Sequence, residues 1–341
     1  MAVIRSKAPL RVSLAGGGSD VSPFSDMFGG AILNATLNLY AHASIEPAND
    51  GKITFILADR KIEKTFDAAA ILPVDGETAL HSGVYNRLVK DFSLSPLSFR
   101  MITSVDAPPG SGLGTSSTLV VAILGAFAEW QKLPLGEYDI AHLAYEIERH
   151  DLGLAGGKQD QYSATFGGVN FMEFFQGDKV IVNPLRIRQI YLDELSHNLV
   201  LYYTATSRSS AGIIEAQQRN VMNGNQVSID AMHQMKKQAV MMKEALLRGN
   251  LSEIGEILNY GWHNKKLMAD EISNPLLEKI YETALKSGAN GGKISGAGGG
   301  GFMLFYCPGN SRYAVIENLK QFGGETKRFE FTTSGLRTWT I

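Results

Sequence analysis

The chain opens on short apolar runs separated by turn-forming residues, the pattern of strands. Residues 3–4, 10–14, 41–46 and 53–57 read as strands, and Asp50-Gly51 between the last two predicts a hairpin. A helix is expected over 82–92 and a strand over 99–104. The pattern then changes to a nearly unbroken apolar stretch, 116–132, which predicts a buried helix. Residues 137–150 predict an amphipathic one, with Ile140, Leu143, Ala144 and Ile147 on one face. Residues 169–174 read as a strand, with Gly177-Asp178 as a turn. Helical periodicity dominates afterwards, over 211–220, 228–248, 251–268 and 275–287. Strands are expected at 302–306, 327–331 and 336–340. Met232, Met235, Met241 and Met242 fall in the helical region, where core packing explains them better than any cofactor. Strand pairs mixed with helix groups predict an α+β protein with two layers per domain.

Length and composition narrow the class. A chain of 341 residues is long for one core and comfortable for two, and the best boundary lies within 175–184. Hydrophobic residues make up 44% and charged ones 19%, enough to bury substantial cores. The formal net charge of -2, without a long basic run, gives no electrostatic footprint for nucleic acid or an anionic membrane. Cys307 is the single cysteine, which excludes an intramolecular disulfide and leaves structural zinc without its ligands. Pro9 and Arg11 interrupt the first apolar run before it could serve as a signal sequence, and no run of 18 apolar residues exists to span a membrane. A cytoplasmic protein is expected.

The 36 glycines cluster, and clustered glycine points to backbone that approaches a ligand closely. One cluster reads Pro108-Pro109-Gly110-Ser111-Gly112-Leu113-Gly114-Thr115-Ser116-Ser117, immediately before the buried helix. Alternate glycines let successive N–H groups converge, and the helix adds its free N-terminal donors and dipole. Together they suit a polyphosphate, with hydroxyls for phosphate or magnesium. A tight turn with a hydroxyl N-cap is the bland alternative, but it requires less glycine and fewer hydroxyls. No Gly-Lys-Ser/Thr follows, so this is not a Walker A loop.

A later cluster, 291–301, contains a formal G-x-G-x-x-G at Gly296, Gly298 and Gly301. A dinucleotide fingerprint must open a helix, whereas a strand follows here, so a glycine hairpin over a phosphate fits better. The first cluster runs from Ala8 to Asp20 through Gly16-Gly17-Gly18. Arg11 inside an apolar strand needs a partner, an ion pair or a ligand. Asp20 stands where a carboxylate could accept from substrate hydroxyls. Farther on, Glu146 and Glu148 lie two apart on a helix, so only one can reach a given site, and Asp160 follows Gly156-Gly157.

These three glycine segments, in this order, resemble the motifs of the GHMP kinases, a family of small-molecule kinases. The resemblance spans residues 8–302. It implies an α/β ATP-binding domain over 1–178 and a ferredoxin-like α+β domain over 179–341, with the active site in the cleft between them. It further implies that residues Pro109, Gly110, Ser111, Gly112, Leu113, Gly114, Thr115, Ser116 and Ser117 hold ATP. Ser116 and Glu148 would be magnesium ligands, Asp160 the catalytic base, and Arg11 its partner. Asp20, Gly17, Gly18, Gly298 and Gly299 would line the acceptor. Galactokinases carry a Glu-His pair where this chain has Gly17-Gly18, which argues against galactose and leaves room for a longer sugar. The form Ala-Gly-Gly-Gly-Ser-Asp is closer to a narrower branch, the D-glycero-D-manno-heptose 7-phosphate kinases and related fucokinase domains. That branch implies a sugar phosphate modified at its anomeric hydroxyl, for nucleotide-activated heptose and surface polysaccharide. Lys158 and Arg208 are the cations expected to hold its phosphate. Alternatives are a fucokinase, another small-molecule kinase of the family, or a sugar-responsive regulator without turnover. A homodimer is compatible with the sequence.

Overall fold

The computed structural model describes residues 2–206 and 210–341, and it is α+β with two sheets. Its strands are β1 (Ile4–Ala15), β2 (Gly30–Pro47), β3 (Lys52–Leu57), β4 (Ile62–Asp67), β5 (Phe99–Val105) and β6 (Val169–Phe174). They continue as β7 (Val180–Pro184), β8 (Leu199–Tyr203), β9 (Gly291–Ile294), β10 (Phe302–Tyr306), β11 (Glu325–Lys327) and β12 (Arg337–Thr340). The larger sheet has the order β12-β1-β2-β5-β3-β4, and β6 pairs with β2 and with β7. The smaller sheet is antiparallel, β11-β8-β10-β9.

β2 spans the larger sheet because it is long enough to serve two neighbours on one edge. Its first half, Gly30 to Ala35, pairs with β6, and its second half, Ala41 to Pro47, pairs with β5. From Ala8 onward β1 is buried on both faces. The apolar helix Thr115–Gln131 packs on β1 and β2, as does the second-half helix Gln226–Arg248. One continuous core therefore joins Leu10, Val12 and Leu14 to Leu201, Met242 and Leu304. Burial of such side chains stabilises by about 1.5–3 kcal/mol each, so the two halves are held by a shared interior and not by a linker.

Several sequence expectations need correction. Asp50-Gly51 is a turn, but β2 and β3 do not pair; β5 lies between them, antiparallel to β2 and parallel to β3. Asp50 Oδ1 accepts from Ser98 Oγ at 2.8 Å, so the turn is tied to the entry of β5 and closes no two-strand ladder. The hairpin is β3–β4. The expected strand 327–331 shifts to β11; residues beyond it leave the smaller sheet, and Phe331 bridges to Leu37 of the larger one. The larger sheet also takes β7 and β12, so a division at 178/179 does not separate the sheets. The helix from Glu137 stops at Glu146 and passes into a π-turn, Ile147–Asp151. The helix Gln159–Phe166 was not foreseen. Met232, Met235 and Met242 are buried in the core.

Candidate active site

A cleft of about 490 Å³ lies where the three glycine segments converge. Its base is the loop before the helix Thr115–Gln131. Gly110, Gly112 and Gly114 have φ of 71°, 81° and 76°, a left-handed region that side chains rarely adopt. They line the cleft with Pro109, Thr115, Ser116 and Ser117. Ser111 and Leu113 alternate with them, are fully buried and turn away from it. Their carbonyls are occupied, Ser111 O by the Phe302 N–H at 2.9 Å and Leu113 O by the Arg11 N–H at 3.2 Å. Arg11 lies on the first glycine segment's strand and Phe302 closes the third segment. Three positive-φ glycines before a helix N-terminus make a concave set of N–H donors suited to phosphate. The strand β10 after Gly301 makes 295–301 a hairpin connection and excludes the dinucleotide fingerprint.

Arg11 is 3% exposed and meets Asp160 from inside β1. Its Nε and Nη2 both reach Asp160 Oδ1, at 2.6 Å each, and Nη1 donates to the Gly112 carbonyl at 2.6 Å. The carboxylate sits beside Gly114, where an added Cβ would stand 3.2 Å from Oδ2. One oxygen of Asp160 is thus held while the other faces the start of the helix.

Glu148 is carried by the π-turn, 1% exposed, and lines the cleft. Its Oε2 accepts from Gln161 Nε2, and the same amide reaches Ser117 Oγ at 3.1 Å. Glu146 points elsewhere and is paired with Arg87. Among the described residues no group of three or more acidic, His or Cys side chains could hold a metal unaided. A buried carboxylate and the Ser116 hydroxyl facing a phosphate cradle fit a hard cation that shares its coordination with phosphate oxygens.

The other wall belongs to Asp20, 2% exposed, whose Oδ2 accepts the N–H groups of Lys158 at 3.0 Å and Gln159 at 3.1 Å. Burial pushes its carboxyl above the usual aspartate range, the charge of Asp160 adds to this, and the backbone bonds oppose it. Gly157 is bare because a Cβ there would overlap this carboxylate.

Not every expected residue reaches the cleft. Gly17, Gly18 and Gly298 line it, but Gly299 does not; its N–H donates to the Ile272 carbonyl at 2.9 Å. The Lys158 ammonium is turned away, 2.7 Å from Asp178 and 3.3 Å from Asp26, so those carboxylates already neutralise it. Arg208 lies outside the described residues. The room expected over Gly17-Gly18 is partly filled, since a Cβ on Gly18 would overlap Met268 Cε. Lys265 was missed. It stands on the helix Ile254–Lys266, is 3% exposed, lines the cleft, and donates to the Gly296 carbonyl at 2.6 Å. It falls on the apolar stripe of Ile254, Ile257, Leu258, Gly261 and Trp262, a signal present in the sequence.

A phosphate cradle facing an Arg-held carboxylate, on two sheets joined by one core, is the architecture of a small-molecule phosphotransferase. The chain belongs to the GHMP kinase family: the family models for the N-terminal and C-terminal domains of GHMP kinases match residues 79–168 and 242–325. It is 47% identical to a D-glycero-alpha-D-manno-heptose 7-phosphate kinase of Campylobacter jejuni, over the full length of both chains. It is 27% identical to an L-fucokinase/L-fucose-1-P guanylyltransferase of Bacteroides fragilis, covering 88% of this chain and 34% of that one. A crystal structure described as a D-glycero-D-manno-heptose 1-phosphate kinase of Bacteroides thetaiotaomicron superposes with a TM-score of 0.85 at 46% identity, covering 99% of each chain. A galactokinase of Lactococcus lactis shares the fold, with a TM-score of 0.79 at 18% identity, covering 98% of this chain and 95% of that one. No helix among the described residues is long and apolar enough to cross a membrane.

Proposed function

We propose that the chain is a magnesium-dependent kinase that transfers the γ-phosphoryl group of ATP to the anomeric hydroxyl of D-glycero-D-manno-heptose 7-phosphate, giving the 1,7-bisphosphate in the cytoplasm. The observation that carries the chemistry is Asp160 held by Arg11 beside the glycine-lined helix N-terminus. The full-length relationship to the Campylobacter heptose 7-phosphate kinase supports the acceptor.

In this reading the N–H groups at Gly110, Gly112 and Gly114 hold the nucleotide's phosphates, with Thr115 and Ser116 hydroxyls alongside. Asp20 accepts from sugar hydroxyls and orients the ring. Asp160 takes the proton of the anomeric hydroxyl as its oxygen bonds to the γ-phosphorus. The bond from that phosphorus to the bridging oxygen breaks, and ADP leaves with the electron pair. Ser116 and Glu148 would hold magnesium, which when bound would neutralise charge spreading over the transferred group.

The relatives from Campylobacter and Bacteroides thetaiotaomicron are described by phosphates at different positions, so the test must read position as well as rate. Catalytic efficiency should be compared for heptose 7-phosphate, heptose 1-phosphate, free heptose, fucose and galactose, with the product assigned by phosphorus NMR. Preference for the 7-phosphate and a new anomeric phosphate are expected. Equal efficiency with free heptose, or a preference for fucose, would replace this acceptor.

A further inference from the structure

Gly17 is a glycine that its own backbone does not require. Its neighbours Gly16 and Gly18 have φ of 82° and 103°, but Gly17 is not among the residues with positive φ. A side chain there would be tolerated by the main chain and would instead obstruct what lies beyond. An added Cβ would stand 3.1 Å from Ser13 Oγ and 3.8 Å from Lys265 Nζ. Both residues line the cleft.

Both also carry unspent hydrogen-bonding capacity. Ser13 Oγ is buried and makes no hydrogen bond among the described residues, and the same holds for Gln159 Oε1 on the adjoining wall. Lys265 has three donors, and its bond within the described residues is to the Gly296 carbonyl. Leaving a buried donor unpaired is costly, so a wall with this many idle polar atoms is made for a polar ligand. Asp20, which accepts only, lies close enough to stabilise the Lys265 charge. Acceptor and donor side by side suit neighbouring hydroxyls of one polyol, each of which can give a proton to one group and take one from the other.

We infer that Lys265, assisted by Ser13 through the window left by Gly17, binds hydroxyl oxygens of the acceptor and makes the site selective for polyhydroxylated acceptors over simple alcohols. This rests on the kinase reading of the cleft, and not on which sugar is the acceptor. Burial pulls the Lys265 ammonium down to about 8, the Asp20 charge opposes this and Arg11 reinforces it. Lys293 lies behind, buried, with its ammonium on the Ser13 carbonyl at 2.8 Å. Among the described residues these are the titratable groups facing Lys265, and Lys293 is itself pulled well below the usual lysine value, chiefly by burial. The cation is therefore complete only well below pH 8, half lost at about 8 and gone well above it, and acceptor binding should weaken in the same direction.

The experiment measures acceptor KM, ATP KM and kcat for wild type, Lys265→Met, Lys265→Arg and Gly17→Ala, using whichever sugar the wild type phosphorylates best. Lys265→Met should raise acceptor KM about tenfold or more and leave ATP KM within about twofold, because a charged hydrogen bond is lost from one ligand only. Gly17→Ala should do likewise with Lys265 intact, which covers the case where Lys265→Met does not fold. Acceptor KM of the wild type should climb above about pH 8, and that climb should vanish in Lys265→Arg, whose guanidinium stays charged. Unchanged acceptor KM in both Lys265→Met and Gly17→Ala, or equal loss toward ATP, overturns the assignment. If no sugar is phosphorylated, the kinase reading fails separately. Calorimetric binding of the same sugars then decides the subsite, and equal affinity in wild type and Lys265→Met rejects it.

Discussion

Arg11 places two donors on a single oxygen of Asp160, Oδ1, and its third nitrogen on the carbonyl of Gly112. One guanidinium therefore fixes the carboxylate and the phosphate loop relative to each other. The rigid fork of arginine is what allows this; a lysine ammonium would supply the charge without the geometry. The carboxylate proposed as proton acceptor and the loop proposed as phosphate cradle are thereby kept in register, which is the positioning a transfer reaction needs.

Asp160→Asn should retain nucleotide affinity and lose about 10²- to 10⁴-fold in kcat, the span typical of a general base. Isothermal titration with a nucleotide analogue and steady-state kinetics check the two halves separately. Near-normal turnover would remove Asp160 from the proton-transfer role.

If Ser116 and Glu148 hold magnesium as proposed, Ser116→Ala and Glu148→Gln should each shift the magnesium dependence of activity to higher concentration, since the first removes a hydroxyl oxygen and the second the negative charge of a carboxylate, both suited to that ion. Glu146→Gln should leave the magnesium curve in place, because Glu146 is engaged with Arg87. Titrating magnesium at fixed ATP distinguishes them. A response at Glu146 and none at Glu148 would contradict the assignment.

Asp20→Asn should make the protein more resistant to heat at neutral pH while weakening acceptor binding. The folded-state pKa of Asp20 is raised above its ordinary value of 3.8, chiefly by burial. The folded form therefore binds its proton more tightly than the unfolded chain, and stability declines as pH rises through that interval. The melting-temperature advantage of the variant should shrink as pH falls toward 3.8 and below. A constant gap across pH would show that the charge is not the cause.

Lys158→Met should destabilise the fold by about 1–3 kcal/mol, a range reduced because its partners are partly solvated. Burial lowers the Lys158 pKa but its bonds to Asp178 and its neighbours raise it overall, while Asp178 is lowered against its own burial penalty by that same bond. Asp178 thus contributes above 3.8 and fades as pH falls through its folded value; Lys158 contributes below 10.5 and fades above it. Urea unfolding should show a constant difference across neutral pH. Because the first turn of the helix carrying Asp160 starts here, kcat should fall along with stability.

Much of this was legible in the sequence because it depended on local chemistry. The strands 169–174 and 302–306 fall where expected, and the glycine loop stands immediately before a buried apolar helix, Thr115–Gln131, as the residue pattern predicts. What escaped was set by distant partners. Alternation in 41–46 and 53–57 identifies strands but not which strand comes between them, and β5 arrives from some forty residues later. Lys158 looked like a cation near the reaction because it is two residues from Asp160; only packing reveals that it turns toward Asp26 and Asp178. Lys265 sits next to Lys266, and the pair reads as a solvated face until the apolar stripe is followed one step further. The helix Gln159–Phe166 is short and polar at its start, so periodicity had little to act on.

The pairing of β12 with β1 sets an order of events during synthesis. Ile4 lies opposite Thr340, and Lys7 opposite Arg337. While the chain is being made, the outer margin of β1 has no such neighbour, although Arg11 farther along the same strand already belongs to the future site. A bare strand margin is an invitation to other nascent chains. The residues that close it, Arg337–Thr340, lie far along the chain from β1 and are made long after it.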